Sequence, residues 1–138
     1  MSVLVDTSVW SLALRRGVPQ DGAEVRELQE LLQEGRVAMM GPIRQELLSG
    51  IRGEAQFRQL RVRLRAFVDL PLHALDYEEA ASCFNQCRAI GVQGGNTDFL
   101  ICAVSIRRKM PIFTTDQDFR HYAKVLPLKL HEVRADLR

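Results

Sequence analysis

The chain has 138 residues, enough for one domain spanning 1–138 and too few for a second of ordinary size. Its 46% apolar share supports a buried core. No apolar run approaches the roughly 20 residues that cross a bilayer, and no basic leader precedes Asp6, so neither a membrane protein nor a secreted one is expected. A net charge of +2 neither demands nor excludes nucleic acid, and three cysteines without a CxxC pair point to free thiols in a reducing cytosol, hence a cytoplasmic protein.

Ser2–Val5 is a short apolar run that stops at Asp6, and it forms the first expected strand. Val9–Arg15 has the pattern of a short helix, broken by Gly17 and Pro19. Glu24–Gln33 carries Val25, Leu28, Leu31 and Leu32 on one face, the stripe of an amphipathic helix, with Gly35 as its C-terminal cap. Val37–Met40 is a second strand. Gly41-Pro42 then opens a third helix through Ser49, because proline lacks only an N–H that has no partner in a first turn.

Phe57, Leu60, Leu64 and Phe67 recur at helical spacing across Glu54–Phe67. Val68–Leu72 is a third strand. Asp76, with Glu79 three residues on as a capping-box-like partner, begins a helix that runs to Ile90. Gly91–Gly95 is a loop, and Asn96 or Thr97 caps the helix that carries Asp98 to Arg107. Pro111–Thr114 is a fourth strand, Thr115–Val125 a last helix and Leu128–Leu130 a final short strand. Strands alternating with helices predict a three-layer α/β/α sandwich with a mainly parallel sheet.

Ligands of open parallel sheets bind beyond the carboxyl ends of the strands, so acids that follow strands are the ones to inspect. Asp6 closes the first strand and Asp116 follows the fourth. Glu46 lies one turn into the helix after the second strand. Asp98 stands in the first turn of a helix that continues Phe99–Val104, all apolar. Each acid has an ordinary explanation alone: a helix dipole favours Asp98, a turn suits Asp116, and solvent suits Glu46. Together they would repel one another, a conflict that a hard divalent cation resolves. Mg²⁺ and Mn²⁺ prefer oxygen ligands, and such ions activate water and neutralise charge in phosphodiester attack.

Val5-Asp6-Thr7-Ser8-Val9-Trp10 resembles the opening of PIN-domain nucleases, and Asp98 before its apolar helix resembles their third acidic position. Glu46 is similar in place to their second acid. Thr114, Asp116, Asp118 and Phe119 match their late Thr-x-Asp-x-Asp-Phe pattern. The four stretches stand in the family's order across nearly the whole chain, and the length resembles that of VapC-type toxins from toxin–antitoxin pairs.

The resemblance implies a Mg²⁺-dependent endoribonuclease, with Mn²⁺ as an alternative ion. Asp6, Glu46, Asp98 and Asp116 would surround the metal, with Asp6 and Asp98 as direct ligands. Thr7, Ser8 or Thr114 would hydrogen-bond a carboxylate or a water, and Asp118 would support the site. The resemblance also implies RNA as substrate, a cognate antitoxin as partner, homodimerisation and no membrane association.

Arg58, Arg61 and Arg65 share one helical face and form a candidate RNA-binding stripe, against the ordinary reading of a solvated face. Arg44, Arg52, Arg107, Arg108 and Lys109 add positive charge near helix ends. Trp10, Leu12, Leu14, Leu31 and Leu32 are core residues or, in part, a partner surface, and His73, His121 and His131 are structural or surface residues. Two competing readings remain. A non-catalytic RNA-binding PIN-like domain would bind RNA without turnover. A phosphotransfer domain would need Asp-x-Asp where this chain has Asp6-Thr7-Ser8 if of the haloacid-dehalogenase type, or neighbouring acids before its first helix and an Asp after its middle strand if of the receiver type, and neither pattern is visible.

Overall fold

Val3, Leu4 and Val5 are successive apolar residues, all fully buried, as a strand covered on both faces requires. They form β1 (Val3–Val5), the middle strand of a parallel sheet of order β2-β1-β3, with β2 at Val37–Ala38 and β3 at Ile112–Phe113. The computed structural model describes residues 1–14 and 22–134. Val3 pairs with Val37, Leu4 with Ala38 and Ile112, and Val5 with Phe113. The sheet thus ends with Asp6 beside Thr114, and the Asp6 N–H donates to the Phe113 carbonyl at 2.9 Å.

Helices fill the connections: α1 (Thr7–Leu14), α2 (Ala23–Gln33), α3 (Gly41–Leu48), α4 (Glu54–Leu64), α5 (Ala74–Ala89), α6 (Asn96–Arg108) and α7 (Asp118–Ala123). The arrangement is the expected α/β/α architecture with a parallel sheet. Residues Phe99–Ser105 of α6 are buried in unbroken succession, and α5 is the helix packed most closely against it. Leu28 and Leu31 of α2, Ile43 and Leu47 of α3, and Phe119 and Tyr122 of α7 complete the core.

Several boundaries differ from the sequence expectation. α1 begins at Thr7 rather than Val9, since the Asp6 carbonyl accepts the N–H groups of Val9 and Trp10 at 3.1 and 3.3 Å. Its expected end at Arg15, with Gly17 and Pro19, lies outside the described residues. α4 stops at Leu64, short of Phe67, because the Arg44 guanidinium takes the carbonyls of Leu64 and Phe67 and pairs with Asp69. Val68–Leu72 is not a strand: only Met39 and Asp69 bridge, and Val68 is 89% exposed. Leu128–Leu130 is likewise a single bridge, Ile112 to Leu130.

Asp76 is the third residue of α5 rather than its cap. Its fully buried carboxylate accepts the His73 N–H at 2.8 Å and pairs with Arg107 and Arg108 from the far end of α6. Neither Asn96 nor Thr97 caps α6; the chain enters it through Gly95, and the Phe99 N–H donates to the Gly95 carbonyl. α7 is shorter than expected because Thr115–Gln117 form a turn before it.

Trp10 is a core residue, edge-on to Phe67 with ring centroids 5.3 Å apart, and Leu31 is fully buried; Leu32 is the exposed one of the pair. Cys83, Cys87 and Cys102 are free and buried, and burial pushes the Cys83 thiol up to about 11. The segment after β3 is tied to α2 by Glu27, which meets His131 at 2.6 Å and Arg134 at 3.0 Å. Among the described residues no helix is long and apolar enough to cross a membrane.

Candidate metal centre

Asp6 leaves the central strand at its carboxyl end, where side chains of the neighbouring segment can reach it. The hydroxyls of Ser8 and Thr114 both donate to its Oδ2, each at 2.9 Å. Those hydroxyl oxygens in turn accept the backbone N–H groups of Thr115 and Asp116, both at 3.0 Å. Every proton in this chain of bonds points toward Asp6, so the carboxylate is held in one orientation.

Glu46 projects from α3, and its Oε1 accepts the Thr7 hydroxyl at 3.3 Å. Thr7, Glu46 and Thr97 line one recess of about 370 Å³, which places Glu46 across from the start of α6. Burial raises the Glu46 pKa, the Thr7 hydroxyl lowers it and the charge of Asp6 raises it; the net shift is upward.

Asp98 stands in the first turn of α6, where the buried helix behind it removes water. Burial raises its pKa, the Tyr122 hydroxyl lowers it, and the charges of Asp6, Asp116 and Glu46 raise it further, for a net upward shift. The charges of the other three acids singled out in the sequence therefore all reach Asp98. The Tyr122 hydroxyl donates to Asp98 Oδ2 at 2.8 Å.

Asp116 Oδ1 accepts the Asp118 N–H at 3.0 Å, a local turn that brings both carboxylates to one side. One oxygen each from Asp98, Asp116 and Asp118 lie within 4.8 Å of one another. Asp118 thus belongs to the tightest group, while Asp6 stands beside it in the grip of Ser8 and Thr114.

The expected basic stripe sits elsewhere. Arg58 and Arg65 are exposed, and the Arg61 guanidinium lies 5.9 Å from the Phe57 ring centroid, with its Nε buried and unpartnered. None of the three lines the recess at Glu46. Arg44, Arg107 and Arg108 are committed to Asp69 and Asp76.

The sequence reading missed Tyr122 and Gly94. Tyr122 is fully buried and packs on Phe99 and Phe119, centroids at 4.9 and 5.2 Å. A Cβ at position 94 would overlap the Tyr122 hydroxyl. Gly94 is therefore required by close approach, so that the phenol can reach Asp98. The available signal was the spacing from Asp118 to Tyr122, four residues along one helical turn.

A family model described as the PIN domain matches residues 3–125. The chain belongs to the PIN-domain family. No curated protein matches this PIN domain in sequence. Solved structures match it in fold. A chain of FitAcB from Neisseria gonorrhoeae superposes with a TM-score of 0.75 at 20% identity, over 94% of this chain and 96% of that one. VapBC2 from Rickettsia felis, bound to a DNA fragment from their promoter, gives 0.77 at 16%, over 95% and 98%. VapBC-1 from nontypeable Haemophilus influenzae gives 0.72 at 14%, over 96% and 98%.

The donors gathered in this PIN domain are carboxylate and hydroxyl oxygens, without sulfur or imidazole. That set suits a hard divalent cation. Several negative charges around a half-buried Asp98 are the conflict that such a cation relieves.

Proposed function

We propose that this PIN domain is a metal-dependent endoribonuclease, the toxin half of a VapBC-type toxin–antitoxin pair. The observation that carries the reading is the convergence of Asp98, Asp116 and Asp118 oxygens within 4.8 Å, with the charges of Asp6 and Glu46 reaching Asp98. Mg²⁺, or Mn²⁺ in its place, would be held by Asp6 and Asp98, with Asp116 and Asp118 beside them. When bound, the ion supplies Lewis acidity that acidifies water and neutralises charge on the attacked phosphate.

The chain's own residues supply position and proton handling. Ser8 and Thr114 hold Asp6 in one orientation. Tyr122 does the same for Asp98. Glu46 has one oxygen on Thr7 and another with which to orient the attacking water and receive its proton; its upward pKa shift makes it a stronger base than an exposed glutamate. Arg58 and Arg65, exposed on the α4 side, would hold phosphates farther along the strand. The partners of this reading are an RNA substrate, a cognate antitoxin and a second copy of the chain. Val62, Leu75, Tyr77 and Ile90 are exposed apolar side chains that such protein partners would cover.

The test combines thermal melting under Mg²⁺ or Mn²⁺ with RNA cleavage in the same solutions. Metal at one hundred times its Kd stabilises the fold by about 2.7 kcal/mol, a rise of several degrees in Tm. Asp98→Asn and Asp6→Asn should keep the fold, lose most of that rise and abolish cleavage. RNA bound without turnover at any metal concentration would favour the non-catalytic reading. Full cleavage by both variants would remove the site assignment.

A further inference from the structure

Beyond β3, at the carboxyl edge of the sheet, lies a second recess of about 510 Å³, large enough for a mononucleotide. Thr114 and Asp116 form its inner lip, and both belong to the acidic centre. The recess therefore borders the acidic centre, with which it shares these two residues. Its outer wall is the tied segment that carries Leu130, His131 and Val133, and Arg120 of α7 closes one side.

Arg120 differs from the other arginines near the core. Arg44, Arg107, Arg108 and Arg134 are all paired with carboxylates. The Arg120 guanidinium has no hydrogen-bond or ion-pair partner among the described residues, although Asp116 and Asp118 lie on the same turn of chain. A guanidinium beside carboxylates that leaves them unpaired is available to an anion. Glu24 and Glu132 also line the recess, and they offer acceptors to an amino group rather than to a second phosphate.

We propose that this recess is the subsite for the nucleotide next to the scissile bond, with Arg120 on its phosphate and its base against Leu130 and Val133. Glu24 and Glu132 then favour bases with an exocyclic amino group, such as adenine and cytosine, over uracil. The proposal rests on the ribonuclease reading above and adds to it a choice of neighbour. Arg120 is a binding residue and stands outside the group of acids that would hold the cation.

The experiment measures binding of fluorescent hexaadenylate, hexacytidylate and hexauridylate in Mg²⁺ to the full chain carrying Glu46→Gln, which removes the proposed base and leaves Asp6 and Asp98 to hold the ion. Adding Arg120→Gln should weaken hexaadenylate binding about fivefold, the loss of one exposed charge-assisted contact. The slope of log Kd against log salt should fall by about 0.7. Val133→Trp, at an exposed position, should weaken binding by filling the recess while leaving the salt slope unchanged. Hexauridylate should bind more weakly than the other two. The Mg²⁺-induced rise in Tm of the otherwise wild-type chain should be the same with and without Arg120→Gln. Unchanged affinity and slope in Arg120→Gln would overturn the subsite and leave the nuclease reading standing. Equal binding of all three oligonucleotides would overturn the base preference and with it the role of the two glutamates. No binding by the parent would overturn both readings together.

Discussion

Tyr122 has no accessible surface, and its ring is fixed between Phe99 and Phe119. Its hydroxyl reaches Asp98 because position 94 carries no side chain. Tyr122→Phe deletes the donor and leaves the packing, so it separates positioning from stability. A hydrogen bond to a carboxylate contributes about 1.5–3 kcal/mol, which is tenfold or more in affinity. Mn²⁺ affinity measured by calorimetry should drop about tenfold in Tyr122→Phe, with Tm in metal-free buffer falling only by the few degrees that one lost hydrogen bond costs. Gly94→Ala should lower both, since a methyl displaces a ring that cannot swing away. Parental Mn²⁺ affinity in Tyr122→Phe would rule out the positioning role. Asp6, Glu46, Asp98 and Asp116 were legible in the sequence because each follows a strand or opens a helix at the sheet's carboxyl edge. Tyr122 was not, because a buried aromatic at helical spacing is ordinary core. Asp118 was expected only as a supporting acid, because a residue two positions beyond Asp116 faces away from it in a regular helix. Here a turn intervenes, and the Asp116 side chain itself closes that turn.

Among the elements, α5 and α6 are joined at Asp76, a buried acid between two guanidiniums. Burial pushes its carboxyl up, but the His73 N–H, Arg107 and Arg108 outweigh this and hold it below the ordinary value of 3.8. The folded pKa therefore lies under the unfolded one. The contribution is complete above the unfolded value and disappears as pH falls through the folded one. Glu27 shifts the same way, and Asp98 and Glu46 the opposite way. Comparison with Asp76→Asn isolates the one group: its urea midpoint should lie below the parent's at pH 7, and the two should converge as pH falls from about 5 toward 3. A gap that stays constant across that range would show that the carboxylate charge is not what joins the helices. The order of helices and strands was legible from periodicity. Their lengths were not, since burial patterns run past the backbone ladder: Val37–Met40 contributes two residues to β2, and Leu128–Leu130 one bridge. The early end of α4 depends on Arg44, a long-range contact that no local pattern encodes.

For the molecule as a whole, the three thiols report on cooperative opening. Cys83, Cys87 and Cys102 are buried on α5 and α6, the most closely packed pair of helices. Burial raises all three above the usual thiol range. Labelling with a neutral-pH disulfide reagent should therefore find no fast thiol in the native chain. All three should react together in urea, at a rate that follows unfolding. A single fast thiol would show that α5 frays from α6 on its own. The Glu27 clasp has a wider consequence. It hangs the last described stretch of chain, and with it one wall of the recess beside the acids, from a helix that contributes none of the clustered acids of the metal centre. On the proposed reading, cutting power and part of the taste for a particular neighbouring base are then written in different stretches of the polypeptide. Relatives could keep the first intact while the second drifts through changes in a short hanging strip.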